Sequence, residues 1–351
     1  MRWKVIQRVW SVAVTVVILW SSYLATGAAP SRELVVNAYG GEYEAIIKST
    51  IIEPFERKYG VRVIYDGTGS ASADFARIRA TRGDPGWDVV VMTAPESLLG
   101  CQLGLLERLG EDRVPNQRFI FHEARKAAGP CGAVQELQYM SLFYNTKRVV
   151  PPPTSWRVLW DPKYKGRVIV PDIGNILAVY LLFMAAYMNG GDQYNLDPGW
   201  AQIPSLRDNA LAVIESSSDM VPYFEREQAW LLPYWDGRAH YYKNKGLPMD
   251  FLIPKEGSIL LVNTLNVPIG AKSKDLAYEF VNFWLSREMQ EKWALAYTVG
   301  TARVDLKLPD EHRRRHVTSL EQFKVLKFPD FLYIAQKRSE WAERWKRIMV
   351  R

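Results

Sequence analysis

From residue 34 onward, short apolar strands alternate with amphipathic helices, and that alternation is the mark of an open parallel sheet with helices packed on its faces. In "ELVVNAYGG", the apolar strand 34–37 runs past Tyr39 into a glycine turn at Gly40 and Gly41. Ile46, Ile47, Ile51 and Phe55 then recur at helical spacing, and Gly60 stands where a left-handed cap would end that helix before the strand "VRVIYD". The pattern repeats. "SASADFARIRATRG" reads as a helix, and "DVVVM" (88–92) as a buried strand running into Thr93, Ala94 and Pro95. Sheets of this kind bind ligands beyond the carboxyl ends of their strands, where helix N-termini and free backbone N–H groups converge. Three loops stand there, 39–43, 67–72 and 93–96, and each is a candidate for binding as well as an ordinary turn.

A second α/β block starts near "AVQELQYMSLFYN". "PPPTSWRVLWDPKYKGRVIVPDIGN" places a turn, a short Trp-rich helix and a strand 167–170 that delivers Asp172 to its end. "AWLLPYWDGRAHYYKNKG" puts Tyr234, Trp235 and Asp236 at another strand end. The chain then returns through "MDFLIPKEGSILLVNTLNVPIGAK" to the amphipathic run "LAYEFVNFWLSREMQEKWALAYTVG", and closes with a helix carrying Ile334, Trp341, Trp345 and Ile348.

The 351 residues suit two lobes of ordinary domain size, and 48% apolar against 24% charged residues excludes a disordered chain. Three of the charges behind the formal +7 are Arg2, Lys4 and Arg8, in a leading segment without acids. The rest is too mild for a phosphate-tracking surface, and Arg313 to Arg315 read as a solvated helix face, so no nucleic-acid partner is expected. The histidines, His122, His240, His312 and His316, form no metal-binding spacing, and no phosphate loop, dinucleotide fingerprint or nucleophile elbow occurs. Neither a nucleophile with its base nor a metal site is visible, so the expectation is a protein that is not an enzyme, with no cofactor and no metal.

Residues 1–29 have the order of a secretory signal. Arg2, Lys4 and Arg8 precede an apolar stretch from Val12 to Trp20, followed by Thr26-Gly27-Ala28-Ala29. The apolar core is short for a membrane span, which favours cleavage near Ala28 or Ala29 over an uncleaved anchor. Export to the periplasm gives the two cysteines, Cys101 and Cys131, an oxidising compartment, where one disulfide is favoured over two buried thiols.

The succession of "PFERKYGVRVIYD", "GWDVVVM", "TSWRVLWDPKYKGRVIVPD", "YWDGRAHYYKNKG", "FLIPKEGSILLVNTLNVPIGAK" and "AYEFVNFWLSREMQEKWA" resembles the periplasmic solute-binding proteins of ATP-binding-cassette (ABC) importers, of the spermidine/putrescine-binding class. The resemblance covers nearly the whole chain after residue 29. It implies a two-lobed periplasmic-binding-protein fold of type II, with the ligand in the interlobe cleft and the hinge crossed twice, near 135–140 and 258–263. Lobe one would hold 32–134 plus 264–303, lobe two 141–257, and helices within 304–351 would pack across the lobes. The implied function is capture of a small polar, amine-bearing solute by hinge closure and its delivery, by a monomer, to an ABC permease in the inner membrane. A ligand-binding partner of a sensory receptor would share the fold.

Polyamine binders hold methylene chains between aromatic walls and receive ammonium ends on carboxylates. By that resemblance Trp235 and Asp236 form an aromatic–acid pair, Asp172 a second acidic position, and Tyr39 a wall from lobe one. Trp235 as interlobe packing and Asp236 as the opener of a turn is the structural alternative. The sequence departs from the class where Asn263 replaces a commonly acidic residue and where Gly174, Asn175 and Ile176 follow Asp172 without a further acid. Fewer carboxylates favour a smaller monocation or a zwitterion. Thr68, Gly69, Ser70 and Ser72 before a helix are similar to the anion sites of ferric, thiamine and phosphonate relatives, or form an N-cap. Adjacent Tyr241 and Tyr242 are similar to iron-holding tyrosines, or are packing.

Overall fold

The computed structural model describes residues 32–67 and 70–349. The signal segment with its cleavage near Ala28 or Ala29, together with Thr68 and Gly69, lies outside the described residues.

The strands are β1 (Glu33–Asn37), β2 (Arg62–Asp66), β3 (Val89–Thr93), β4 (Ala133–Asn145), β5 (Val168–Pro171), β6 (Ala210–Ile214), β7 (Leu231–Trp235), β8 (Met249–Leu252) and β9 (Leu260–Asn266). Among the described residues they follow one path, β2-β1-β3-β9-β4-β7-β5-β6, with β8 paired to β4. Both flanks are parallel, as the strand–helix alternation predicts. The centre is not: β9 runs antiparallel to β3 and β4, and β4 antiparallel to β7 and β8. Strand β4 explains the difference. Its first half, to Tyr139, pairs with β9, and from Met140 it pairs with β7, so one thirteen-residue strand joins both halves of the molecule while β9 returns beside it.

Local chemistry sets the boundaries. The first helix (Glu42–Ile47) continues through a π-helical turn (Lys48–Ile52) into the helix Glu53–Tyr59, burying Ile47, Ile51 and Phe55, and ends at Gly60 with φ 62°. Ser70 caps the helix Ala71–Ala80, its hydroxyl accepting from Ala73 N. That is the N-cap alternative for this segment.

Two large apolar clusters and a smaller third form the core among the described residues. Phe55, Phe280, Trp284 and Trp293 lie in the first; Phe143, Phe183, Tyr234 and Trp341 lie in the second. The last helix, Phe331–Met349, packs Trp341 on Phe183 (5.6 Å between centroids) and Trp345 on Trp200 (6.4 Å). Cys101 and Cys131 are joined in a disulfide.

Candidate functional site

A cleft of about 710 Å³ opens where the ends of β1, β3, β7 and the central strands converge. Its floor follows from strand register. Thr93, Asn263 and Glu136 lie side by side across β3, β9 and β4, and the next pair on the same face is Leu261 with Gln138. One further step along β4, Met140 pairs with Trp235, so Trp235 also faces the cleft.

Glu136 is fully buried there. Its Oε1 accepts from Gln138 Nε2 (2.6 Å) and Asn263 Nδ2 (2.8 Å), and its Oε2 from Trp293 Nε1 (2.7 Å). Burial raises its pKa to about 6, opposed by these three donors and reinforced by Asp236. Trp293 is held by an aromatic cluster in which Tyr43 meets Tyr39, Trp293 and Tyr297 edge-on at 5.1–5.2 Å. Tyr39 and Tyr297 form the wall on that side of the cleft.

Two arginines complete the lining, and each joins segments far apart in sequence. From the helix Asp236–Asn244, Arg238 reaches Glu42 at 2.9 Å and donates to Tyr297 Oη (3.0 Å) and Ser218 Oγ (3.1 Å). Arg338 of the last helix pairs with Glu96 and donates to the Gly174 carbonyl (2.7 Å). Glu96 also accepts from Thr93 Oγ1. The rim is the loop 215–219. Asn175, the N-cap of the helix Ile176–Met188, holds it by donating to the Glu215 carbonyl (2.7 Å) and Ser217 Oγ (3.0 Å).

Of the residues the sequence nominates, Tyr39, Gly40, Ser70, Thr93, Trp235 and Asn263 line the cleft. Gly40 is required by close approach, since a Cβ there would meet the Gly67 carbonyl oxygen at 2.6 Å. Thr68 lies outside the described residues. Three nominations are corrected. Asp236 is fully buried off the cleft, its Oδ1 accepting from Tyr139 N (2.8 Å) and its Oδ2 lying 2.6 Å from His316 Nδ1. The reason is parity: consecutive residues at a strand end point to opposite faces, so Trp235 takes the cleft and Asp236 the interior. His316 in turn meets His240 at 2.7 Å, and burial pushes its imidazole down to about 3 while raising the Asp236 carboxyl. Tyr234 is buried and donates to the Ser217 carbonyl (2.9 Å), supporting the rim from below. Asp172 is not on the lining; its carboxylate accepts from Gly174 N (3.2 Å) and shapes the turn. Tyr241 and Tyr242 also stand off the cleft, packed on each other and, for Tyr242, on Phe224. Glu136, Gln138, Arg238, Glu215, Asp219 and Arg338 are lining residues the sequence reading missed.

The chain's sequence matches the profile of a family described as bacterial extracellular solute-binding protein over residues 106–321. It is 24% identical over 276 residues to spermidine/putrescine-binding periplasmic protein 1 of Haemophilus influenzae, covering 74% of each chain. It is 30% identical over 276 residues to the gamma-aminobutyric acid-binding protein of Pseudomonas aeruginosa, covering 75% of this chain and 74% of that one. Its structure is similar to an ABC transporter structure from Clostridium perfringens, with a TM-score of 0.70 and 26% identity over 90% of this chain and 99% of the other. With the profile spanning more than half of its length and a cleft formed between two α/β lobes of the type II fold, the chain belongs to the bacterial extracellular solute-binding protein family.

Proposed function

We propose that this protein is the periplasmic substrate-binding component of an ABC importer and that its cleft captures a small amine-bearing solute, cationic or zwitterionic, for delivery by the monomer to an inner-membrane permease. The relatives named for polyamines and for gamma-aminobutyric acid share one chemical element, an ammonium group on a short methylene chain. The observation that carries the reading is the balance of charge in the cleft. Arg238 and Arg338 are each matched by an acid behind them, Glu42 and Glu96. Glu136, Glu215 and Asp219 have no cationic partner among the described residues. A ligand cation therefore enters a site with surplus negative charge, with Trp235 and Tyr39 available to its methylenes.

The same reading divides the molecule into lobe one, 32–134 with 264–303, and lobe two, 141–257, hinged at 135–140 and 258–263. Supporting this, β4 changes partner from β9 to β7 between Tyr139 and Met140. A thermal-shift screen tests the function: putrescine, spermidine and γ-aminobutyrate should raise the melting temperature, and thiamine, phosphonates and ferric citrate should not. Stabilisation confined to the second group would refute it.

An ω-amino acid is favoured over a polyamine by one observation. Arg238 lines the cleft with its guanidinium almost fully buried, and a ligand carboxylate can use it while the ammonium uses the floor. Competition between γ-aminobutyrate and putrescine ranks the two.

A further inference from the structure

The floor of the cleft contains an arrangement that neither composition nor family resemblance assigns. Asn263 stands where an acid is common, and directly opposite it on the neighbouring strand is Glu136. The amide nitrogens of both Asn263 and Gln138 donate to the same carboxylate oxygen, Glu136 Oε1. This fixes the amide orientations, because turning either one would set its oxygen against the carboxylate. The two amide oxygens, Gln138 Oε1 and Asn263 Oδ1, are consequently left over. Both are buried, and neither has a hydrogen-bond partner among the described residues. Buried acceptors without donors are uncommon, and here they belong to side chains that line a ligand cleft.

We propose that Glu136, Gln138 and Asn263 form the ammonium receiver of this protein, with the negative charge supplied from β4 through two amides whose oxygens await N–H donors. This deepens the amine reading given above and rests on it. A primary ammonium has three N–H donors and a full charge. It satisfies both amide oxygens while remaining beside the Glu136 charge that polarises them. Trp293 occupies Glu136 Oε2 and keeps the carboxylate from turning away. The charge that the cleft would lose through asparagine at position 263 is thereby retained one strand away. A receiver with one acid and two neutral acceptors takes one ammonium, which selects monoamines and zwitterions at this end of the cleft.

Calorimetric titration of the mature chain with γ-aminobutyrate and with its N,N,N-trimethyl derivative tests this, because the derivative keeps the charge and lacks every N–H donor. The primary amine should bind at least about tenfold more tightly. Gln138→Met removes one acceptor, leaves Glu136 two donors and should shrink that gap several-fold. Glu136→Gln should weaken both probes by about tenfold or more. The receiver is overturned if the trimethyl derivative binds the unaltered protein as well as the primary amine does, or if folded Gln138→Met leaves the gap unchanged. In either case the amine reading survives. Absence of binding by γ-aminobutyrate, putrescine and spermidine to the unaltered protein would remove both.

Discussion

Asn263 and Glu136 face each other across the β9–β4 ladder, and the asparagine amide donates to the glutamate carboxylate at 2.8 Å. The pair lies on the floor of the cleft with the acid fully buried. Burial lifts the Glu136 pKa from 4.5 to about 6. That shift corresponds to about 2 kcal/mol by which the solute-free fold disfavours the ionised form. The sign follows directly: the folded protein holds this proton more tightly than the unfolded chain, so the group favours folding at low pH and that contribution is lost as pH rises through about 6.

Solute binding should therefore have the opposite dependence. An ammonium needs the carboxylate ionised, so affinity should be full above about pH 7 and fall as pH drops through 6, by at most about tenfold per unit. Of the groups facing Glu136, Trp293, Asn263 and Gln138 are neutral and burial pushes the Tyr39, Tyr43 and Tyr297 hydroxyls up, while Asp236, whose own carboxyl burial raises, also acts on it. Asp74, raised to about 7 by burial and by Asp66, titrates nearby, so the control is Glu136→Gln, which should flatten the profile. Calorimetry from pH 5 to 8 reads the result.

Asp236 should matter for folding rather than for the solute. Asp236→Ala strips the acceptor from Tyr139 N and from the His316 ring, at an expected cost of about 3 kcal/mol. Scanning calorimetry should show a lower melting temperature while γ-aminobutyrate affinity stays within about threefold. Lost binding with unchanged stability would mean that Asp236 does reach the solute.

Arg338 fastens the last helix to Glu96 and to the Gly174 carbonyl, which the proposed division places on different lobes. Arg338→Met leaves Glu96 buried without its cation, which disfavours the closed arrangement. Solute affinity should drop by about tenfold or more. Small-angle scattering should show a larger radius of gyration for the solute-free variant than for the parent; equal radii and equal affinity would contradict the clasp.

The Cys101–Cys131 bridge closes a separation of 30 residues. Its reduction should destabilise the fold by about 3.5 kcal/mol in the chain-entropy treatment. Chemical denaturation with and without reductant measures this, and the native protein should contain no alkylatable thiol before reduction.

Strands and helices were legible wherever the signal is local. The apolar run at 88–92, the helical spacing of Ile47, Ile51 and Phe55, and the glycine stop at Gly60 each depend on near neighbours, and each appears in the structure. The strand-end loops brought Tyr39, Gly40, Ser70 and Thr93 to one cleft by the same logic. The antiparallel centre was not legible, because which strand lies beside β4 is decided by partners far along the chain, as when Met140 meets Trp235 and Glu136 meets Asn263. The resemblance pairs Asp236 with Trp235, but consecutive residues at the strand end point to opposite sides, so Trp235 lines the cleft and Asp236 lies in the interior. Glu136 and Gln138 did leave a trace: in "AVQELQYM" they are polar residues at alternate positions of an otherwise buried strand. Their meaning required Asn263, 127 positions further along.

One pair of titrations bears most directly on amine capture. γ-Aminobutyrate and butyrate differ in the ammonium group, and calorimetry on the protein at pH 7.5 compares them without any substitution. Loss of a buried, hydrogen-bonded charge costs about 2 to 5 kcal/mol, so γ-aminobutyrate should bind at least about thirtyfold more tightly than butyrate. Equal affinities for the two, or tighter binding of butyrate, would contradict an amine-capturing cleft.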